Sequence, residues 1–364
     1  MKVGFISIYS APYRDEILTA FQAKYADIEL IVFSLGNKHI DHPEWKYDSG
    51  IAEIDFRKHQ WSILLNEKVD ALVVCGDRQT LLTAILYSLL YKKRIIFMAD
   101  TVCETGTIPV LYLKYALKVL LSKRFFSVWC PGKRSKLYWE KFIRHDRIFE
   151  GCYTFDNKKI FDKISSIRSE DVMFEKNRLW GENSSFIFLF VGQLNPKRRI
   201  GNLLLAFQNM NKKTNKQAGC LVIGEGEEER IVHEYEKTNP FIKHIRSVNF
   251  EKLHSFYALA DAYVHPGREP YSLAVYEAAI AGVPIIAGLE VGAVHDCLRN
   301  GKNGYIIEPN SIDSLEKAMM KVLNNEIDRD ECKKVSEYLV NHRSTDWASE
   351  QLYRAISGMD RELV

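Results

Sequence analysis

The chain has 364 residues, 46% hydrophobic and 27% charged. That is long for one ordinary domain and suits two α/β domains, and the composition excludes collagen, an extended coiled coil and wholesale disorder. Basic residues number 50 against 47 acidic, too even a balance for bulk charge to direct the chain to nucleic acid, so any basic function has to be local.

The opening residues, MKVGFISIYSAPYRDE, pass from a short apolar run into Tyr, Pro, Arg and acids. They read as a strand and a turn, not a signal peptide, and no apolar run in the chain reaches transmembrane length. A strand over 3–8 is followed by a turn containing Pro12 and a helix over 15–25. Further strands are expected at 29–33, 71–75 and 94–98, with stretches of helix length such as 81–91 and 111–121 between or after them. Alternation of this kind implies a parallel sheet with helices on both faces and ligands at the carboxyl ends of the strands. Over 156–185 the pattern lapses into polar residues of mixed charge, the expected inter-domain connection with a helix or two. It restarts with strands at 186–191, 221–223, near Ile245, 262–265 and 284–287, separated by helices at 200–210, 227–236, 251–260 and 272–281. The stretches 312–323 and 330–359 are mostly helical. The expected fold is therefore α/β, two Rossmann-like doubly wound halves facing a crevice. An N-terminal domain covers 1–160, a C-terminal domain 161–345, and a final helix over 346–364 packs back on the first domain.

Seven cysteines, odd in number and widely spaced with no Cys-x-x-Cys, support neither a zinc nor a dithiol motif and read as reduced thiols of a cytosolic protein. Asp328, Asp330, His39 and His42 read as solvated polar positions, so no metal is expected. Gly224-Glu225-Gly226 lacks the third glycine of a dinucleotide fingerprint, since position 229 is Glu, and follows the wrong strand for one.

The most informative stretch is DAYVHPGREPYSLAVYEAAIAGVPIIAG, from Asp261 to Gly288. A strand ends at His265 and Pro266-Gly267 breaks it. A helix begins near Ser272, carries Glu277 in its second turn and stops at Ala281-Gly282. The N–H groups of Ser272, Leu273 and Ala274 point out of the helix start, at the positive end of its dipole, and Ser272 can cap it. A diphosphate is the natural guest. The E-x7-E spacing of Glu269 and Glu277 arises often by chance. Its weight comes from this strand, turn and helix context, against the alternative of an ordinary βαβ unit with solvated carboxylates.

In that context REPYSLAVYEAAIAGVPIIAG resembles the signature of the family-four retaining glycosyltransferases, which have the GT-B fold. FVGQLNPKRRIGNLLLAF resembles their phosphate loop, CLVIGEGEEE their next strand and Gly-rich turn, HIRSVNFEKLHSFYALADAYVHPG their base-binding turn, and GLEVGAVHDCLRNGKNGYIIEP the loop after the signature helix. The resemblance covers residues 186–323 closely and the N-terminal half loosely, through APYR and PGK…DRIFEGCYTFDN. It implies transfer, with retention, from a UDP- or GDP-linked sugar to a glycan or lipid-linked acceptor in bacterial polysaccharide or glycoconjugate assembly, without metal or other cofactor. Glu269 would contact the donor sugar and Glu277 the ribose hydroxyls. The amides of Ser272 and Leu273, after Pro270-Tyr271, would face the diphosphate, with Gly192 in the phosphate loop and Val248 and Asn249 at the base. The loop's lysine is Arg198 here and its usual arginine is Gln193, a lost charge that Lys197 or Arg199 would have to replace. Ser272 stands where the family has glycine. Arg198 and the helix start would stabilise the departing diphosphate, Glu269 would position rather than attack, and no nucleophile is assigned. A GT-B sugar-nucleotide epimerase and an inactive nucleotide-sugar-binding subunit are the competing readings.

In the N-terminal half, Arg14 follows the first strand as a phosphate or acceptor contact, or as a turn residue. Asp100 follows RIIFM as a candidate to orient or deprotonate the acceptor hydroxyl, or as a helix cap. LYLKYALKVLLSKRFF, over 111–126, carries Lys114, Lys118, Lys123 and Arg124, near Lys92, Lys93 and Arg94. It reads as a basic helix that lies on an anionic membrane surface or packs on the core with snorkelling lysines. The expected location is cytoplasmic, with peripheral membrane attachment.

Overall fold

The structure, a computed structural model, describes residues 1–7, 11–36, 50–75, 78–100, 126–181 and 186–358. The chain divides into two compact units, Met1–Asp156 with Arg343–Val364, and Asn157–His342.

In the first unit the strands β1 (Lys2–Ser7), β2 (Glu29–Ser34), β3 (Glu53–Asp55), β4 (Ala71–Val74), β5 (Arg94–Met98), β6 (Phe126–Cys130) and β7 (Ile148–Glu150) form a parallel sheet in the order β3-β2-β1-β4-β5-β6-β7. Both faces are apolar, so the strands read as continuous runs while successive side chains enter opposite layers. Phe5, Val73 and Ile96 face one layer, Ile6, Leu72, Val74 and Ile95 the other. The helix Pro12–Lys24 covers the first layer with Ile17, Leu18 and Phe21. So does the helix Thr345–Ser357, through Ala348, Leu352, Ala355 and Ile356. Tyr353 stacks on Tyr25 at 4.2 Å, and Ser349 Oγ donates to the Ile17 carbonyl at 3.2 Å. The helices Gln60–Glu67, Arg78–Tyr91 and Lys133–Trp139 cover the second layer.

The second unit opens with the helices Asn157–Ser165 and Ser169–Trp180. Its strands β8 (Phe186–Val191), β9 (Ala218–Ile223), β10 (Ile242–Ile245), β11 (Ala262–His265), β12 (Ile285–Gly288) and β13 (Gly304–Ile307) form a parallel sheet in the order β10-β9-β8-β11-β12-β13. Phe188, Phe190, Leu203, Phe207 and Met319 are fully buried in its core.

The departures from expectation have local causes. The first helix begins at Pro12 rather than 15, because proline suits the first helical position, where its missing N–H is no loss. The unit boundary falls at Asp156/Asn157, before residue 160, because Asn157 is tied into the second unit: its Nδ2 donates to Tyr276 Oη at 3.1 Å and to the Val340 carbonyl at 2.8 Å. The helical stretch expected over 330–359 is two helices, Arg329–Asn341 and Thr345–Ser357, the second capped by Ser344 accepting from Trp347 N. The basic stretch 111–125, His39 and His42 lie outside the described residues. Among the described residues no helix is long and apolar enough to cross a membrane.

Candidate active site

In the second unit the chain runs from β8 outward to β9 and β10, then crosses back to place β11 on the other side of β8. The loops leaving the carboxyl ends of β8 and β11 therefore diverge. Such a switch point is where a doubly wound sheet opens a crevice. The loop after β8 is Gly192–Arg199 and the loop after β11 is Pro266–Ser272. These are the segments the sequence singles out.

The two loops are joined by charge. Arg198 Nη2 donates to Glu269 Oε1 at 2.6 Å, and Nη1 to the Arg268 carbonyl at 2.9 Å. His265, 1% exposed at the end of β11, lies with Nε2 3.1 Å from Glu269 Oε2. Burial alone would push the Glu269 carboxyl up. The His265 hydrogen bond and charge, the Arg198 charge and the Ser272 hydroxyl outweigh it and hold Glu269 below the usual carboxylate range. An ionised carboxylate only accepts, so Nε2 of His265 carries the proton. Arg199 Nη1 meets Glu290 Oε2 at 2.7 Å. Arg199 is thus committed to a neighbouring carboxylate, whereas Lys197 is exposed and its ammonium group has no ion-pair partner among the described residues.

The loop after β11 is strapped in place by its backbone. Arg268 N donates to the Lys197 carbonyl at 2.8 Å, Glu269 N to the Glu290 carbonyl at 3.2 Å and Ala293 N to the Tyr271 carbonyl at 2.7 Å. The approach is so close that a Cβ on Gly267 would strike the backbone of Lys197 and Arg198, and one on Gly292 the Pro270 carbonyl. Gly224 likewise abuts the Gly192 carbonyl and Gly226 that of Leu194. Gly224 and Gly226 are thus packing glycines that seat the loop after β8.

The helix Leu273–Ile280 starts where the sequence places it. Ser272 is its cap, its hydroxyl accepting from Val275 N at 3.4 Å. Nothing among the described residues accepts from the N–H groups of Leu273 and Ala274, which leaves donors and the dipole's positive end available to an anion. Ser272 adopts φ of 85°, a conformation that favours glycine. Glu277, 4% exposed, points into the unit, where Tyr257 Oη donates to its Oε2 at 2.8 Å. Burial pushes its carboxyl up to about 7, against the opposing Tyr257 hydrogen bond. Tyr271 is 3% exposed beside Ser272, with its ring 6.5 Å from that of Tyr276.

Of the remaining expected site residues, Gly192 bends at φ of 154° directly after β8 and Gln193 is exposed. Asn249 caps the helix Phe250–Leu259, accepting from Lys252 N at 2.8 Å, and Val248 precedes it, half-buried. Asp100 belongs to the first unit, at the end of β5; its Oδ1 accepts from Ser135 Oγ at 2.7 Å and its carbonyl from Trp139 Nε1 at 3.0 Å. Arg14 is buried, paired with Asp15 at 3.1 Å and donating to Ser7 Oγ, so it is no surface turn residue. Asp328 caps the helix Arg329–Asn341. Among the described residues no group of three His, Cys, Asp or Glu side chains could hold a metal. Sequence reasoning missed His265 and Tyr257. His265 had a signal, a histidine ending a strand four residues before Glu269. Tyr257 comes from another helix and had none.

Residues 174–338 match the family model for glycosyl transferases group 1. In sequence the chain is 28% identical over 198 residues to an alpha-monoglucosyldiacylglycerol synthase of Acholeplasma laidlawii, covering 52% of this chain and 48% of that protein. It is 27% identical over 176 residues to the capsular polysaccharide biosynthesis glycosyltransferase CapM of Staphylococcus aureus, covering 46% and 45%. The chain thus spans about half the length of these curated relatives. In structure it is similar to a glycosyltransferase of Rickettsia africae, with a TM-score of 0.75, 16% identity and 98% of each chain covered. Anabaena HepE in complex with UDP gives 0.75 and 15%, over 99% of this chain and 100% of that one. The fold is GT-B, and the stretch 174–338, which holds Arg198, Glu269 and Glu277, is similar in sequence to the group 1 glycosyl transferases.

Proposed function

We propose that the chain is a retaining glycosyltransferase that moves a sugar from a nucleotide diphosphate sugar to a glycan or lipid-linked acceptor. The observation that carries this reading is the Arg198–Glu269 pair, 2.6 Å apart, beside the open N–H groups of Leu273 and Ala274. As the bond to the sugar breaks, the diphosphate gains charge. Arg198 and the helix start are fixed donors for it, and fixed donors need no rearrangement as the charge develops. Glu269 is held ionised from both sides, which suits it to accept from sugar hydroxyls and to orient the ring. Glu277 and Tyr257 form a buried polar pair for the ribose hydroxyls. The chemistry needs no metal where Arg198 and the amides neutralise the leaving group, and no nucleophile where the acceptor attacks from the leaving-group face. Asp100 is the proposed group for orienting the acceptor hydroxyl, and Val248 and Asn249 flank the proposed base site. UDP is the first nucleotide to try, because structural neighbours carry UDP and UDP-glucose. Among the curated relatives are proteins of glycolipid and capsule synthesis, which supports an acceptor of that kind on the cytoplasmic side.

The test is product analysis after incubating the protein with UDP- and GDP-sugars and simple glycan or lipid acceptors. Nucleotide release with an acceptor product of unchanged anomeric configuration supports the reading. An epimerised donor, or binding without turnover, refutes it in favour of an epimerase or an inactive binding subunit.

A further inference from the structure

Two histidines meet at the edge of the second unit's sheet. His233 stands on the helix Glu229–Thr238, and His244 on β10, the edge strand beside it. Their rings lie 5.1 Å apart and 64° from parallel, with His233 Nε2 3.1 Å from His244 Nδ1. The other nitrogen of His244, Nε2, is 2.8 Å from the Gly224 carbonyl. A carbonyl only accepts, so Nε2 carries the proton and Nδ1 turns a lone pair to His233. Metal-binding histidines are ordinarily fixed in this way, with the far N–H on a carbonyl. His233 is exposed and His244 half-buried, so solvent reaches the pair.

The carboxylates of the same segments are engaged. Glu225 and Glu229 each meet Arg246 at 3.1 Å, Glu234 meets Arg230 at 3.5 Å, and Glu236 Oε1 accepts from His244 N at 3.1 Å. Two imidazoles suit a borderline cation such as zinc, whereas magnesium and calcium seek oxygen. Two nitrogens bound to one zinc at about 2.0–2.1 Å and a tetrahedral angle stand roughly 3.3–3.4 Å apart. The pair is a few tenths of an ångström short of that spacing. A turn of the exposed His233 ring supplies the difference, with its proton on Nδ1, and water completes the coordination.

We propose that His233 and His244 form a zinc site. The ion ties the helix Glu229–Thr238 to β10 and, through the Gly224 carbonyl, to the turn that seats the loop after β8. It takes no part in the transfer proposed above. Its test uses no nucleotide sugar, so either reading can fail without the other.

The experiment is calorimetric titration of the untagged, metal-stripped full chain with zinc chloride, with unfolding midpoints measured with and without zinc. The parent is expected to bind one zinc ion at a saturable site, to release it to EDTA, and to unfold at a higher temperature when loaded. His233→Ala removes one ligand from an exposed helix position. His244→Gln removes the other while keeping an N–H donor for the Gly224 carbonyl. Each should weaken zinc binding about tenfold or more and abolish the rise in midpoint. Midpoints of the metal-free variants close to the parent's show that the fold is intact, and His233→Ala decides alone if His244→Gln unfolds early. A parent that takes up no zinc overturns the proposal. So does a His233→Ala variant that binds zinc as the parent does, which would place the ion on other side chains, such as the cysteines.

Discussion

Glu277→Gln preserves the shape of a side chain that is 4% exposed and removes its ability to ionise. In the native chain burial lifts the Glu277 carboxyl from an ordinary 4.5 to about 7. The unfolded chain titrates near the ordinary value. Below both values the native and unfolded states hold the proton, and pH has no effect through this group. Between them unfolding releases the proton, so stability falls as pH rises. Above about 7 the native carboxylate is charged and the full cost is present. At about 1.4 kcal/mol per pH unit that cost is roughly 3 kcal/mol. The glutamine variant escapes it. Denaturant unfolding of both proteins near pH 5 and near pH 8 should therefore show the variant's relative stability improving by roughly 2–3 kcal/mol between the two conditions, while other titrating groups cancel. Nucleotide binding should move oppositely. Ribose hydroxyls donate to the carboxylate and favour its charged form, so the parent's UDP affinity should climb through pH 7. The variant's affinity should stay flat and be about tenfold weaker at the upper end. Calorimetry in buffers of different ionisation enthalpy would read the released proton. A stability difference independent of pH would refute the burial argument, and a flat parent affinity would remove Glu277 from the ribose.

Arg198→Ala should reduce turnover by two orders of magnitude or more, about 3 kcal/mol of leaving-group stabilisation, while leaving the fold intact. Near-normal kcat with a UDP-sugar would hand that task to another cation, Lys197 first. Ser272→Gly should stay within about 1 kcal/mol of the parent, because relief of the unfavourable φ offsets the lost cap and the freer unfolded chain. Ser272→Val should cost more than about 2 kcal/mol, since a β-branched residue at positive φ is strained and cannot cap; chemical denaturation showing equal losses would contradict the 85° angle. Gly292→Ala forces a Cβ onto the Pro270 carbonyl, so the strap around Glu269 must shift. A loss of about tenfold or more in kcat/KM is expected, and unchanged kinetics would mean that the strap plays no part in the site.

Much of the second unit was legible because its signals are local. Phe186–Val191, Ala262–His265 and Ile312–Leu323 have the residues read from apolar runs and helix-forming stretches. Glu269, Ser272 and Glu277 stand out because a strand, a Pro-Gly break and a helix start follow within about a dozen residues. The apolar runs of β6 and β13 are absent from the strands read in the sequence, and the other misses are short or distant. β3 and β7, three residues each, lie at the sheet's edges, where pairing with a neighbour rather than an apolar pattern makes the strand. The electrostatic state of the site also depends on residues brought from elsewhere. His265 and Arg198 hold Glu269 charged, and Tyr257 meets Glu277 twenty residues away in sequence.

The route of the chain through its two units bears on synthesis. Asn157–His342 is contiguous, whereas the first unit is finished only by the segment after His342. On a ribosome the part begun second can therefore close first, although domains generally form in the order they are made. Until the segment with Ala348, Leu352 and Ile356 emerges, Ile17 and Phe21 of the first helix and Ile96, Trp129 and Phe149 of the sheet lack their cover. The nascent chain must shelter that sheet face from aggregation while nearly two hundred further residues are translated.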